Sequence, residues 1–304
     1  MKVARRTFVV GTRGSGLALR QTEGVVARLR DLHPGLTFEL KTIRTSGDVR
    51  QDAPIASLGL GVFTKAIEDA LLAGDIDLAV HSLKDLPTKI TKGLTIAATP
   101  VRADPRDILV NRWSLPLAKL PKKARIGTGS PRRQAQVRAL RPNLQVLPIR
   151  GNVDTRLKKA VGEEYDGAVL AAAGLERLGL LAEVAEYFEP TQFVPAPGQG
   201  ALAVEARAND AELLALLSPL DDAKTRAAVT AERAVLEAMG SGCQLALGAF
   251  GTVTRGRLSL VSVIGAVDGS KLLRAEARGS AKDPKAVALD VYNQLVKLGA
   301  KALL

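Results

Sequence analysis

The chain has one cysteine, Cys243, and it sits in the run Gly240-Ser241-Gly242-Cys243-Gln244. A thiol flanked by small residues has little apolar packing around it and is well placed to reach outward, where its thiolate is a nucleophile. Taken alone, a free cysteine is more often a small buried apolar residue. Its interest here comes from a set of arginines, Arg13, Arg132, Arg133, Arg150, Arg156 and Arg177, several beside Gly, Ser or Thr just after strand-like runs. Guanidinium groups fork onto carboxylates, and charged hydrogen bonds contribute roughly 1.5–3 kcal/mol each. Any one of these arginines reads as a solvated surface residue; together they suit a ligand with several separate anionic groups. A third cluster is His81-Ser82-Leu83-Lys84-Asp85-Leu86-Pro87. An Asp before Leu-Pro commonly marks a turn or cap. Set among cations, Asp85 is expected to be ionised, which makes it a poor general acid but able to stabilise a developing cation. His81 is an acid–base candidate that nothing else in the sequence singles out. The Gly-rich turns match neither a phosphate loop nor a dinucleotide fingerprint, and no metal-ligating cluster is evident.

These groups need a frame, and an internal repeat supplies one. Val9-Val10-Gly11-Thr12-Arg13-Gly14-Ser15 is echoed by Arg125-Ile126-Gly127-Thr128-Gly129-Ser130. His33-Pro34-Gly35-Leu36 with Ile43-Arg44 is echoed by Arg141-Pro142-Asn143-Leu144 with Ile149-Arg150, and Asp77-Leu78-Ala79-Val80 by Asp166-Gly167-Ala168-Val169. Three echoes in one order predict two related halves. Each half alternates strand and helix patterns: Phe8–Val10, Leu17–Leu32, Phe38–Arg44 and Thr64–Ala73 in the first. Such alternation predicts parallel sheets with helices on their faces, and ligand sites outside the carboxyl ends of the strands. Two such domains facing each other would line a cleft from both sides. Thr99–Pro105 and Phe193–Gly200 read as hinges.

After about Asp222 the pattern changes. A helix over Ala223–Met239 precedes the cysteine, and strands follow over Ala246–Val253, Leu258–Val267 and Leu272–Ala277, with Asp268-Gly269 as a hairpin signal. A last helix runs from Pro284 to Leu298, capped by Asp283 and closed by Gly299. This is a small α+β domain carrying the cysteine.

The length of 304 residues suits two or three domains at roughly 100–200 residues each. With 46% hydrophobic and 24% charged residues, the chain is of folded, soluble type. One cysteine excludes an intramolecular disulfide, and the apolar run after the basic start stops at Gly11, too short for a signal-peptide core. A cytoplasmic protein with no membrane partner is expected. A net charge of +12 admits nucleic acid or acidic small molecules as partners. Aromatics are only 3%, too few for base stacking, and no nucleic-acid signature appears, so a small polyanionic ligand is favoured. No heptad pattern or long apolar interface is evident, and a monomer is expected.

The motifs together resemble the porphobilinogen deaminase family over nearly the whole chain. The likeness is carried by His81–Pro87, Asp104-Pro105-Arg106-Asp107, Gly127-Thr128-Gly129-Ser130-Pro131-Arg132-Arg133-Gln134 and Arg150-Gly151-Asn152-Val153-Asp154-Thr155-Arg156-Leu157. It continues through Ala173-Gly174-Leu175-Glu176-Arg177-Leu178-Gly179, Pro197-Gly198-Gln199-Gly200-Ala201 and Gly242-Cys243-Gln244. The resemblance implies an α/β fold: two similar periplasmic-binding-protein-like domains around a cleft, plus a small C-terminal α+β domain. The implied division is 1–100 with 200–218, then 105–194, then 222–304. It also implies a transferase of tetrapyrrole biosynthesis that condenses four porphobilinogen molecules head to tail, releasing ammonia each time, to give hydroxymethylbilane. Its cofactor, a dipyrromethane, would be joined to Cys243 by a thioether. Asp85 would be the catalytic carboxylate. Ser82, Lys84, Thr128, Ser130, Arg132, Arg133 and Arg156 would bind the cofactor's acetate and propionate groups. Arg13, Ser15, Arg150, Arg177 and Gln199 would serve the incoming substrate or the growing chain.

The chain departs from the family's usual pattern at Gly14, Gly16, Arg20, Leu60, Pro131 and Ala246. Leu60 stands where a lysine is frequent, in a Gly-rich loop expected to act as a lid. These changes bear on substrate affinity and lid behaviour more than on reaction type. The rival expectation is a non-catalytic, two-lobed anion-binding or sensor protein, which would share the arginines but need neither Cys243 nor Asp85.

Overall fold

Short apolar runs punctuated by Gly, Asp and Pro give the chain many brief elements. The computed structural model describes residues 7–45, 64–181, 184–240 and 245–304. The chain opens with β1 (Thr7–Arg13), α1 (Gly16–Leu32), β2 (Thr37–Ile43), α2 (Lys65–Ala73), β3 (Leu78–Ser82) and β4 (Leu94–Ala98). It crosses to a second set: β5 (Asp107–Asn111), β6 (Arg125–Gly127), α3 (Pro131–Leu140), β7 (Gln145–Leu147), α4 (Val153–Ala160), β8 (Gly167–Ala171), α5 (Ala172–Leu178) and β9 (Glu186–Tyr187). It then returns with β10 (Leu202–Arg207) and α6 (Ala211–Leu217). The end is α7 (Ala223–Ala238), β11 (Leu247–Thr254), β12 (Arg257–Gly265), β13 (Leu272–Ser280) and α8 (Pro284–Lys297). Two compact units result, Met1–Arg102 with Ala201–Arg226, and Ala103–Gly200 with Ala227–Leu304.

The first unit's sheet has the order β2-β1-β3-β10-β4, and the second unit's has β7-β6-β8-β5-β9. The two are the same arrangement. In each, four strands share one direction and the one fourth in order, β10 or β5, runs against them. The sequence echoes mark equivalent registers: Val10 faces Leu78 and Gly11 faces Ala79, as Ile126 faces Gly167 and Gly127 faces Ala168. Asp77 accepts from the Val9 N–H at 2.8 Å, and Asp166 accepts from the Arg125 N–H at 2.9 Å.

The wholly parallel sheets expected from the alternation are not what forms. β5 and β10 each begin a few residues after a crossing between units, so each enters its sheet at the carboxyl edge of its neighbours and must run back across it. Register places Asp107 of β5 opposite Ala171, and Leu202 of β10 opposite Ser82.

Helices cover both faces of each sheet. α1 is capped by Ser15, whose Oγ accepts from the Ala18 N–H at 3.3 Å, and it buries Val25, Val26 and Leu29 at helical spacing. These pack on Phe8, Val10, Phe38, Leu78 and Val80, while Ile67 and Leu71 of α2 cover the opposite face with Ile76 and Ala79. Each such side chain contributes roughly 1.5–3 kcal/mol on burial. In the second unit the alternation of β5 sends Leu109 to one face, with Ile126 and Val137, and Ile108 and Val110 to the other, with Leu157 and Leu175. The antiparallel sheet β11-β12-β13 is covered on one face by α7 and α8, and on the other Val261 and Val263 pack against Val194. The expected cap of α8 forms, Asp283 Oδ1 accepting from the Ala286 N–H at 3.2 Å. Asp268 likewise turns the expected hairpin by accepting from Ser270 N–H and Oγ–H.

The second crossing constrains Gly200. Its φ is +84°, the Ala103 N–H donates to its carbonyl at 3.2 Å, and a Cβ built on it would lie 2.6 Å from Ala103 O. Gly200→Ala is expected to destabilise the protein by more than about 2 kcal/mol in urea unfolding, adding overpacking to backbone strain. Gly74→Ala, at φ +79° with open space around it, is the control and should cost about 1 kcal/mol.

Candidate functional site

In the first unit the polar residues gather at the carboxyl edge of the three parallel strands. Arg13 ends β1, Ser15 caps α1, and Ser82 ends β3. The Ser82 hydroxyl and the Gln21 amide exchange hydrogen bonds at 3.0 and 3.1 Å. The chain then makes a 3₁₀ turn over Leu83–Asp85, pinned by the Leu83 N–H donating to Ala201 O at 3.0 Å. Residues three apart eclipse in such a turn. Leu83 and Leu86 therefore both point inward, at 0% and 4% exposure, and Lys84 and Asp85 are left exposed between them. Asp85 is thus an outward carboxylate on a turn anchored by two buried leucines. His81 lies elsewhere: it is 5% exposed, and its Nε2 is 3.1 Å from Glu205 Oε2.

In the second unit the carboxyl edge carries the Thr128-Gly129-Ser130 turn after β6, Arg150 after β7, and α5 with Arg177 after β8. Thr128 Oγ1 accepts from the Ser130 N–H at 3.2 Å, and Ser130 Oγ caps α3, accepting from the Arg133 N–H at 3.5 Å. Pro131 occupies the first turn of α3, where a missing N–H costs nothing. Arg156 Nε donates to Gly151 O at 2.7 Å, and Arg177 Nη2 donates to Gly200 O at 3.0 Å.

Arg132 and Arg133 are buried rather than displayed, at 4% and 8% side-chain exposure, and both turn to Asp107. Arg132 Nη1 donates to Asp107 Oδ2 at 2.5 Å and to Val194 O at 2.8 Å. Arg133 donates to Asp107 Oδ1 through Nε and Nη2, at 2.9 and 2.7 Å, and to Val169 O at 3.0 Å. Gln199, 1% exposed, adds an Nε2–H to Asp107 Oδ1 at 3.0 Å. Burial works to raise the Asp107 carboxyl, but Arg132 and Arg133 outweigh it and hold it at about 2. Burial lowers the Arg133 guanidinium below its ordinary value, with Asp107 opposing and Arg132 and Arg156 adding to the effect.

One carboxylate among two guanidiniums leaves a buried surplus of one positive charge. Arg132 Nε is buried without a hydrogen-bond partner among the described residues. The first turn of α3 adds the positive end of a helix. A surplus cation, an unused donor and a helix N-terminus beside Thr128 and Ser130 fit a ligand with carboxylate groups. A dipyrromethane bearing acetates and propionates is of that class. Cys243, placed in sequence between α7 and β11, and Leu60 lie outside the described residues. Asp107 had no role in the sequence reading, although a lone Asp opening the run Asp-Ile-Leu-Val was a signal that a strand buries a charge.

The depressed Asp107 carboxyl ties stability to pH. Its contribution, about 2 kcal/mol, is present above about pH 4 and lost as pH falls through about 2. Asp107→Asn should cost about 3–5 kcal/mol at pH 7, because it leaves two buried cations uncompensated. The difference in unfolding free energy between native protein and variant should shrink from pH 4 to pH 2. A constant difference would show that the carboxylate's charge is not what matters.

Comparison with known proteins gives a consistent picture. The family described as "Porphobilinogen deaminase, dipyromethane cofactor binding domain" matches residues 8–215, and "Porphobilinogen deaminase, C-terminal domain" matches residues 226–297. The chain is 50% identical to the porphobilinogen deaminase of Roseiflexus sp. (strain RS-1), over 99% of each chain. It is 44% identical to that of Syntrophobacter fumaroxidans, over 98% of this chain and 97% of the other. With that of Mycobacterium tuberculosis (strain ATCC 25177 / H37Ra) it shares 50% identity over 97% of each. Among solved structures it is similar to the BenM effector binding domain with its effector benzoate, at 16% identity and a TM-score of 0.42, over 71% of this chain and 90% of that one. With both family profiles matched in order and half of its residues shared with relatives along nearly its full length, the chain belongs to the porphobilinogen deaminase family.

Proposed function

We propose that the chain condenses four porphobilinogen molecules head to tail, each losing ammonia, on a dipyrromethane joined to Cys243, and that water then cleaves the new tetrapyrrole from the dipyrromethane as hydroxymethylbilane. The observation that carries this reading is the buried surplus of positive charge at the start of α3, inside the segment matched to cofactor-binding domains. On this reading the chain works as three domains with the divisions expected from the sequence, as a monomer in the cytoplasm. No described helix is long and apolar enough to cross a membrane.

Arg132 and Arg133, fixed by Asp107, would hold the cofactor's carboxylates together with Thr128, Ser130 and Arg156, while Ser82 and Lys84 would contribute from the first unit. When bound, the dipyrromethane supplies the nucleophilic pyrrole carbon at which chain growth begins. Arg13, Ser15, Arg150, Arg177 and Gln199 would meet the carboxylates of the incoming porphobilinogen or the growing chain. Departure of ammonia from the substrate's aminomethyl carbon leaves a positive charge shared with the pyrrole nitrogen. The Asp85 carboxylate, exposed on its anchored turn, would accept that N–H and stabilise the charge as it develops. A charged hydrogen bond of roughly 1.5–3 kcal/mol corresponds to about 10–100-fold in rate.

Intact mass of the purified protein tests the tether. The native chain should exceed its sequence mass by two linked pyrrole units, and Cys243→Ser should not. A native chain that stays unmodified after incubation with porphobilinogen would favour the non-catalytic, anion-binding alternative. Arg132→Leu and Arg133→Leu should yield protein lacking the added mass. Turnover separates charge from shape at Asp85: Asp85→Glu should keep measurable activity and Asp85→Asn should lose about 100-fold or more. Equal activity in the two variants would refute the electrostatic role.

A further inference from the structure

One buried ionic contact has no part in the site as described. His81 and Glu205 lie on adjacent antiparallel strands, β3 and β10, in a register that sets Ala203 opposite His81 and Glu205 opposite Ala79. They are diagonal neighbours on one sheet face, with side chains 4% and 0% exposed and His81 Nε2 3.1 Å from Glu205 Oε2. That is ion-pair range, but the groups are out of line for a hydrogen bond, and neither buried Glu205 oxygen has a hydrogen-bond donor among the described residues. Other charges on this face are occupied elsewhere. Glu68 of α2 accepts from Thr91 Oγ1 at 2.6 Å, and Arg207, two residues along β10, donates to Leu71 O, Ile76 O and Asp77. Among the described residues, His81 is the only group that answers the Glu205 charge.

A buried carboxylate with a single neighbour needs a proton on the atom that faces it. Here that atom is His81 Nε2. His81 is followed directly by Ser82 and the turn that presents Asp85, and β10 begins at Leu202, next to the Ala201 carbonyl that pins Leu83. We propose that His81 and Glu205 are positioning residues for the reaction: with its Nε2 proton turned toward the Glu205 carboxylate, His81 braces the end of β3 against the middle of β10 by charge and packing and so fixes the turn that aims Asp85. His81 is then a strut behind the site rather than an acid or base within it. The inference rests on the reading of Asp85 given above.

The test compares Glu205→Gln, His81→Gln and the double variant as cofactor-bearing enzyme. Each single variant should retain the dipyrromethane mass and a KM within about 2-fold, with kcat lowered about 10-fold or more, as expected when a catalytic group is misaimed. The double variant should be no worse than either single, since the link is already broken. Unchanged kcat with only a lower melting temperature, or losses that multiply in the double variant, would overturn the proposal. A second measurement needs no variant at either position and no turnover. The chain has two histidines, and the other, His33, meets Leu216 O at 2.9 Å through Nε2. Nitrogen-15 spectra of the native holoenzyme, assigned with His33→Asn, should show a proton on His81 Nε2 that exchanges slowly with water. A bare Nε2 would overturn the proposal. If the native enzyme proved inactive, the reading of Asp85 would fail while this spectrum still decided the pair.

Discussion

Asp107 is the charge on which the second unit is organised. It opens β5, is fully buried, and gathers two guanidiniums and one amide that come from α3 and from the Pro197–Gly200 segment. Burying so much charge is tolerable only because the partners arrive pre-aligned. Arg132 and Arg133 leave the first turn of one helix, and Gln136, a turn later, both donates to and accepts from Val194 of the returning chain. The same Val194 carbonyl takes Arg132, and its side chain packs on Val261 and Val263 of the C-terminal sheet. One carboxylate therefore sets the position of the helix, the returning segment and, through that segment, the sheet that follows Cys243. The compensation is incomplete, two guanidiniums facing one carboxylate in this cluster.

The doubling of the sheet explains why the candidate site residues lie where they do. In each unit the parallel strands end on one edge and run into turns, pinned by Leu83 N–H on Ala201 O after β3 and by Thr128 N–H on Leu147 O after β6. Arg13, Ser15 and Ser82 occupy that edge in the first unit, and Thr128, Ser130 and Arg150 the equivalent edge in the second. The reversed strand adds its own first residues there: Leu202, beside Ser82, and Asp107, beside Ala171. The duplicated frame has been used differently in its halves. One presents an outward carboxylate, Asp85; the other presents an excess of positive charge.

Much of this was legible in the residues. The echoes fell on equivalent registers because short-range pattern and turn chemistry follow the backbone closely, as at Asp77 and Asp166. That Asp85 sits at a turn was readable too, since it precedes Leu-Pro. What could not be read was direction and depth. Alternation of strand and helix implied parallel pairing, but the polarity of β5 and β10 depends on where the chain crosses between units, a long-range fact. An arginine in the first turn of a helix looks equally solvated whether or not an aspartate 25 residues away waits to receive it, as Asp107 does for Arg132. His81 shows the same limit, because its partner Glu205 lies on a strand made after the entire second sheet.

That order of strands has a consequence for how the protein is made. In the second unit all five strands lie within the one stretch from Asp107 to Tyr187, so the sheet needs no segment made later. In the first unit β10 lies between β3 and β4, so the sheet cannot close until a strand synthesised about a hundred residues later takes its place. Pairings of such long sequence separation are slow to form and leave strand edges open in the interval. The N-terminal half of a nascent chain therefore waits, incomplete, while its duplicate folds first.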